Sequence, residues 1–266
     1  MKTKLLLITI FILLFQAVLF SEKTNWKRPI PGFKPDNSSS NPSSSPAAST
    51  PKTTTASQSN KEAAQEQGWL GAALFDWQPS DLEYFFGIAG AKGTFVKGVL
   101  MGSPAWKGGL APGFFITRVN GTAVSSSKEA ADLVAKTGAG SSVKFDGLFY
   151  DDSKRKWEKQ TLSIKLEARK DSSASAKIYP GLLVIPNSGA VKGLRILAVD
   201  EGNSVASALG LKTGDVVTEV LDVPVASLGE FYSRLHVLQT VVSDSIGFKV
   251  FSGGKYRTAE KFWLEL

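Results

Sequence analysis

The residue types that most often perform catalysis are scarce in this 266-residue chain, which contains one histidine, His236, and no cysteine. The missing cysteines exclude disulfide bonds, thiolate nucleophiles, cysteine-type zinc sites and a lipid attached to an N-terminal cysteine. A lone histidine excludes a metal site built from several histidines. No serine lies in a Gly-x-Ser-x-Gly turn, and no glycine-rich loop is followed by Lys-Ser or Lys-Thr. The sequence therefore predicts no catalytic residue, no metal site and no cofactor.

The charge balance argues against a nucleic-acid partner. The chain has a formal net charge of +7, but residues 68–266 hold 23 basic and 20 acidic side chains. An excess this small does not provide the basic surface that nucleic-acid binding requires. The apolar fraction of 42% and the mean hydropathy of −0.02 are typical of a globular protein. The length leaves room for two domains of ordinary size.

The N-terminal residues have the pattern of an export signal. Lys2 and Lys4 precede the apolar stretch 5–20, whose 16 residues are fewer than the roughly 20 that span a bilayer. We predict a cleaved signal peptide at residues 1–21 and a periplasmic or extracellular location, with an uncleaved membrane anchor as the alternative. Residues 22–67 are predicted to be a disordered tether, because their Ser, Thr, Pro and Asn cannot bury enough apolar surface to fold.

An internal repeat organises the remainder of the chain. The segment 103–129 is echoed by 204–230 at an offset of 101, with ten identities in 27 positions and no gap. Two copies of one unit are therefore predicted, at residues 68–169 and 178–266, with a polar linker between them. Each copy fits the usual size of a small domain.

The same series of turns, strands and one helix is predicted in each copy. Asn120-Gly121 is a strong hairpin signal, and capped helices are expected at residues 128–136 and 228–238. A polar loop is expected at 151–159. The fold class is mainly β with helices (α+β), consisting of two tandem, partly open β-barrels that are each capped by a helix. The helix residues expected to face the core are Ala130 and Val134 in the first copy, and Phe231 and Leu235 in the second.

The repeated motifs resemble the PDZ domains of bacterial HtrA/Deg-type periplasmic proteases. Gly-Trp-Leu-Gly at 68–71 is followed by Ser-Pro-Ala-x-x-x-Gly-Leu-x-x-Gly at 103–113 and by Ile-Thr-x-Val-Asn-Gly at 116–121. The second copy is similar, with Gly-Leu-Lys-Thr-Gly-Asp at 210–215. Two departures from the family pattern are Phe114, where the family usually has Asp, and Leu221-Asp222, which replaces the Asn-Gly turn.

The resemblance implies that each copy binds an extended peptide. PDZ domains add the peptide as a strand to an open sheet edge, while backbone amides capture its C-terminal carboxylate. Pro180 has no N–H to donate, so carboxylate capture should be weaker in the second copy. Carried over by position, the loop, edge strand and helix wall are Gly68, Trp69, Leu70, Gly71, Ala72, Ala73, Leu74, Ala131 and Ala135 in the first copy, and Gly181, Leu182, Leu183, Val184, Tyr232 and His236 in the second.

Two of these groups have alternative interpretations. Trp69 and Leu70 could simply cap the barrel. His236 could face the groove and bond a ligand hydroxyl, but the sequence favours a position on a solvated helix face.

The function expected from this sequence is that of an exported, non-enzymatic adaptor that captures protein C-termini or extended segments in PDZ-like grooves. A separate envelope protease is a possible partner. HtrA-type proteases carry a Ser-His-Asp triad on a further domain, and the only histidine here lies inside a PDZ-like copy. Two alternatives remain: a regulatory or degenerate protease relative, and a structural module whose grooves are filled by its own chain.

Overall fold

The computed structural model describes residues 67–169, 176–240 and 245–263, all within the compact unit Thr53–Leu266. The predicted signal peptide and all of the predicted tether except Gln67 lie outside these residues, as does most of the predicted linker. Within the described ranges, no helix has the length and apolar character needed to cross a membrane.

The first lobe, residues 67–169, is built on an antiparallel sheet with the strand order β1–β2–β3–β5–β6, and the short strand β4 pairs with β3. Its strands and helices are β1 (Ala72–Phe75), α1 (Pro79–Phe86), β2 (Thr94–Leu100), α2 (Pro104–Lys107), β3 (Phe115–Val119), β4 (Thr122–Ala123), α3 (Ser127–Lys136), β5 (Ser142–Asp151) and β6 (Lys156–Lys165).

The second lobe, residues 176–240 and 245–263, repeats this order as β8–β9–β10–β12–β13, with β11 paired to β10. Its first strand, β7, pairs with β2 of the first lobe. The strands and helices are β7 (Ile178–Tyr179), β8 (Leu182–Pro186), β9 (Leu194–Val199), α4 (Val205–Ala208), β10 (Val216–Val220), β11 (Val223–Pro224), α5 (Leu228–Thr240), β12 (Ser245–Ser252) and β13 (Lys255–Phe262).

The protein is thus mainly β with a few helices, as expected. In the described parts of the chain the first and last strands of each sheet do not pair with one another, so neither sheet closes into a barrel. The expected core residues of the two long helices are buried: Ala130, Val134, Phe231 and Leu235 are at most 8% exposed. The helical periodicity therefore identified the core-facing side of both helices correctly.

The Asn120-Gly121 turn joins β3 to β4, as the sequence predicts, and both residues have positive φ, 49° and 79°. The corresponding residues of the second lobe, Leu221 and Asp222, adopt φ of 53° and 58° without a glycine. L-residues with a Cβ lose free energy in this left-handed region. The second turn is therefore strained relative to the first.

Two parts of the first lobe differ from the prediction. The expected polar loop at 151–159 is wrong, because β5 and β6 extend through most of it and leave only residues 152–155 outside the strands. The ring of Trp157 explains the extension, since it packs against Phe86 and Tyr150. Helix α1 was not predicted, although Pro79 at its start and Gly87 in the left-handed conformation at its end are recognisable signals.

Candidate peptide-binding groove

Strand β1 forms one edge of the first sheet. Within the described residues its strand partner is β2, and no strand pairs with its other side. The Leu100 amide donates to the Gly71 carbonyl at 2.8 Å, which turns that carbonyl towards β2. Because strand residues alternate, the N–H and C=O groups of Ala72 and Leu74 point away from β2. All four β1 residues are half-buried, so this backbone edge is accessible to an added strand.

The loop 68–71 before β1 is held mainly through its carbonyls. The Leu70 carbonyl accepts from Ala105 at 2.9 Å, and Trp69 exchanges two hydrogen bonds with Glu167 at 2.8 and 3.4 Å. Gly71 has φ of +77°, and a Cβ there would lie 2.4 Å from that of Ser103. None of the described residues accepts a hydrogen bond from the amides of Leu70 or Gly71. Free adjacent amides of this kind can bind an anion.

Helix α3 contacts both ends of the segment 68–76, which contains β1. Its N-terminus is fixed by Ser126, whose hydroxyl accepts from the Glu129 amide at 3.3 Å, and by the Glu129 carboxylate, which accepts from Ser125. The hydrogen bond from the Ser125 amide holds the pKa of Glu129 below its usual value. Ala130 and Val134 pack into the core, while Ala131 is exposed and Ala135 is half-buried.

Contacts at both ends set the position of α3 relative to β1. At one end Asp76, which follows β1, accepts from the Ser127 amide and hydroxyl, both at 2.7 Å, and from the Thr94 hydroxyl at 2.7 Å. At the other end a Cβ on Gly68 would lie only 2.0 Å from the Thr137 carbonyl oxygen. Asp76 was missed from the sequence because its partner Ser127 lies 51 positions away in the chain, and no local pattern links the two.

The second lobe has a loop and an edge strand of the same design. Gly181 has φ of +73°, and a Cβ there would lie 2.2 Å from that of Ser204, as found for Gly71 and Ser103. Strand β8 pairs with β9 and has no other strand partner among the described residues. However, Leu182, Leu183 and Val184 are at most 7% exposed, so their side chains are not available as those of β1 are.

The residues predicted to form the helix wall of the second lobe contact the first lobe. The Tyr232 ring is fully buried and meets the edge of Phe95 with ring centroids 5.1 Å apart. The ring of His236 packs against Phe149, also at 5.1 Å. Burial lowers the pKa of His236, and its buried Nδ1 has no hydrogen-bond partner within the described residues. His236 is half-buried against Phe149 of the first lobe, so it does not lie on a fully solvated helix face as the sequence favoured.

The described part of the chain contains no group of three or more His, Asp or Glu residues that could hold a metal ion. Among residues 67–169, 176–240 and 245–263, no carboxylate contacts the Nδ1 atom of His236. The described residues do offer a ligand the backbone edge of β1, next to two amides that have no acceptor among those residues.

The sequence is similar to those of known proteins. Residues 95–146 match the family described as PDZ domain. A probable periplasmic serine protease, do/HhoA-like, of Haemophilus influenzae is 34% identical over 143 residues, which cover 52% of this chain and 29% of that protein. Periplasmic serine endoprotease DegP of Salmonella typhimurium is 29% identical over 186 residues, 68% of this chain and 36% of that protein.

A solved structure, the HtrA-type protease AlgW with decapeptide, is 26% identical and has a TM-score of 0.33, covering 40% of this chain and 30% of that one. The matched part corresponds to about a third of the length of the two curated relatives, 29% for the Haemophilus influenzae protein and 36% for DegP. Those relatives are periplasmic by name, and PDZ domains bind peptides or protein C-termini. Residues 95–146 are thus similar to PDZ domains, and about half or more of the chain is similar to part of the do/HhoA-like and DegP periplasmic serine proteases.

Proposed function

We propose that this protein is an exported, non-enzymatic adaptor that captures protein C-termini or extended segments by strand addition in the groove between β1 and α3. The observation that carries the proposal is the open edge of β1 beside the amides of Leu70 and Gly71, which have no acceptor among the residues that the structure describes. The PDZ likeness of residues 95–146 supports it. Proteins or peptides of the envelope, including a separate protease, are the expected partners.

The mechanism follows from the orientation of the backbone groups. A ligand strand pairs with β1 through the outward N–H and C=O groups of Ala72 and Leu74. Its terminal carboxylate accepts from the amides of Leu70 and Gly71, and its last side chain enters the space beside Ala135. Backbone pairing gives little sequence preference, so selectivity comes from the terminal carboxylate and the side chains near α3.

The direct test is binding of a C-terminal peptide library to the chain that begins at residue 22, followed by fluorescence polarisation with the best peptide. The same peptide with an amidated C-terminus should bind about tenfold more weakly, because hydrogen bonds to a charged group are among the strongest in proteins. Equal affinities for the acid and the amide would exclude carboxylate capture by the loop 68–71.

A substitution in the helix wall tests where the peptide lies. Ala131→Trp should fill the groove and weaken binding by about tenfold or more, which corresponds to about 1.4 kcal/mol. Lys136→Trp places the same ring at an exposed position on another side of α3 and serves as the matched control. Similar losses for both variants would contradict binding between β1 and α3.

A second candidate function is that of a regulatory or degenerate protease relative, which the similarity to serine proteases favours. Purified protein should then digest casein, and a serine-directed inhibitor should abolish the activity. The adaptor proposal predicts no digestion under the same conditions.

A further inference from the structure

The helices α3 and α5 occupy equivalent places in the two lobes but expose different faces. At the repeat offset of 101, Lys128 and Ala131 of α3 correspond to Gly229 and Tyr232 of α5, and Ala135 corresponds to His236. Lys128 and Ala131 are exposed, whereas Gly229 and Tyr232 are buried. The face that borders the groove in the first lobe is therefore covered in the second.

Glycines in both lobes make room for this contact. A Cβ on Gly113 of the first lobe would lie 2.3 Å from the Cβ of Tyr232, and one on Gly229 would lie 2.4 Å from the Tyr150 ring. Gly214 is the repeat counterpart of Gly113 and has nearly the same φ, +93° against +95°, yet a Cβ there would meet nothing within 4 Å. The shared turn geometry therefore accounts for the positive φ of Gly113. The close approach of Tyr232 is an additional feature of Gly113, which Gly214 does not have.

Polar contacts surround the aromatic ones. Arg234 of α5 contacts Asp152 at 2.9 Å, and both side chains are less than a fifth exposed. The Gln239 amide donates to the carbonyls of Trp106 and Leu110 at 3.3 and 3.2 Å. Lys97 of β2 pairs with Asp200 of the second lobe at 3.0 Å. Ion pairs and hydrogen bonds from several parts of both lobes fix one relative orientation.

Backbone pairing joins the same lobes behind the groove. Val99 of β2 pairs with Ala72 of β1 and also with Tyr179 of β7, so β1 and β7 lie on opposite edges of β2. The Tyr179 side chain is buried, and its hydroxyl donates to the Leu235 carbonyl of α5 at 2.7 Å. Strand β2, which pairs with the groove strand β1, is therefore also paired with the second lobe through β7.

We infer that the α5 face formed by Gly229, Tyr232 and His236 is an intramolecular docking surface whose occupant is the first lobe. The chain consequently offers one peptide groove, between β1 and α3, and the second lobe supports that groove through β2. The statement about peptides rests on the proposed function, whereas the docking itself does not.

The test compares Gly113→Ala with its matched control Gly214→Ala in the chain that begins at residue 22. Both variants place a Cβ at the same positive φ, and only the first meets Tyr232. Without peptide, hydrogen exchange of the α5 amides should become about tenfold faster in Gly113→Ala than in Gly214→Ala, as for an interaction of about 1.4 kcal/mol. Equal exchange in the two variants would overturn the docking surface.

A charge reversal provides an independent check. Lys97→Glu and Asp200→Lys should each accelerate exchange in α5, and the double variant should restore slow exchange if the pair forms across the docked lobes. No recovery in the double variant counts against the docking.

Calorimetric titration with the best library peptide should then give one peptide per chain for the unaltered protein. Two equivalent sites would overturn the single groove even if docking is observed. Binding of no peptide together with slow exchange in α5 would reject the proposed function and leave the docking established.

Discussion

Asp76 accepts two hydrogen bonds from Ser127, one from its amide and one from its hydroxyl, each at 2.7 Å. Asp76 directly follows the edge strand β1, and Ser127 is the first residue of α3. The carboxylate therefore links the two walls of the groove and also places a negative charge at a helix N-terminus, where it is stabilising.

Replacement of this carboxylate should loosen the groove. Asp76→Ala removes the acceptor for Ser127 and Thr94, and we expect a loss of about 1–2 kcal/mol in the free energy of unfolding, with weaker peptide binding. Urea denaturation and fluorescence polarisation measure the two effects. Asp132→Ala is the control, since Asp132 forms an exposed ion pair with Lys128 and its loss should cost less than about 0.5 kcal/mol. Equal losses would show that the link has no special role.

The strained turn of the second lobe can be improved. Asp222→Gly should raise the free energy of unfolding by about 0.5–1 kcal/mol, because glycine adopts the φ of +58° without a Cβ. The reverse substitution, Gly121→Asp in the first lobe, should destabilise by a similar amount. Chemical denaturation of both variants is the measurement, and the prediction fails if they shift the midpoint in the same direction.

The half-buried His236 should make the stability of the protein depend on pH. Burial lowers the pKa of His236 from 6.5, so the unfolded chain takes up the proton more readily than the folded one. The stabilisation is complete above pH 6.5 and is lost progressively as the pH falls below that value. Urea denaturation at several pH values should show a shallower decline for His236→Gln than for the unaltered protein. Parallel curves would mean that another group is responsible.

The hydroxyl of Tyr179 should stabilise the contact between β7 and α5. Tyr179→Phe removes the donor to the Leu235 carbonyl, and we expect a loss of about 1 kcal/mol together with faster hydrogen exchange in α5. Tyr256→Phe is the matched control, because Tyr256 is 59% exposed and its ring packs on Phe251 at the tip of a hairpin. An unchanged stability in Tyr179→Phe would show that the hydroxyl contributes nothing.

Local patterns in the sequence were sufficient for much of each lobe. Asn120-Gly121 predicted its hairpin because few residues other than glycine and asparagine accept positive φ, and the spacing of Phe231 and Leu235 identified the buried side of α5. The positions of Ala72 and Gly71 at an open edge followed from the resemblance to PDZ domains. The assignment of peptide binding to the residues of either groove stays a prediction.

The contact between the lobes could not be obtained in this way. Helical periodicity shows which side of α5 faces its own core, but Tyr232 and His236 are as compatible with a groove wall as with an interface. The decisive features, the space at Gly113 and the partner of Arg234, depend on residues more than eighty positions away in the chain. The packing of separate parts of the chain decided the outcome, and no local propensity reports on it.

The double pairing of β2 has a mechanical consequence. A chain captured on β1 and then pulled would transmit its tension through the backbone ladder at Ala72 and Val99 to Tyr179 on the far edge. The load would thus pass sideways into the second lobe rather than along the covalent connection between the lobes. The force needed to pull a bound peptide out of the groove should therefore depend on β7 as much as on the groove itself. Equilibrium affinity does not report this force.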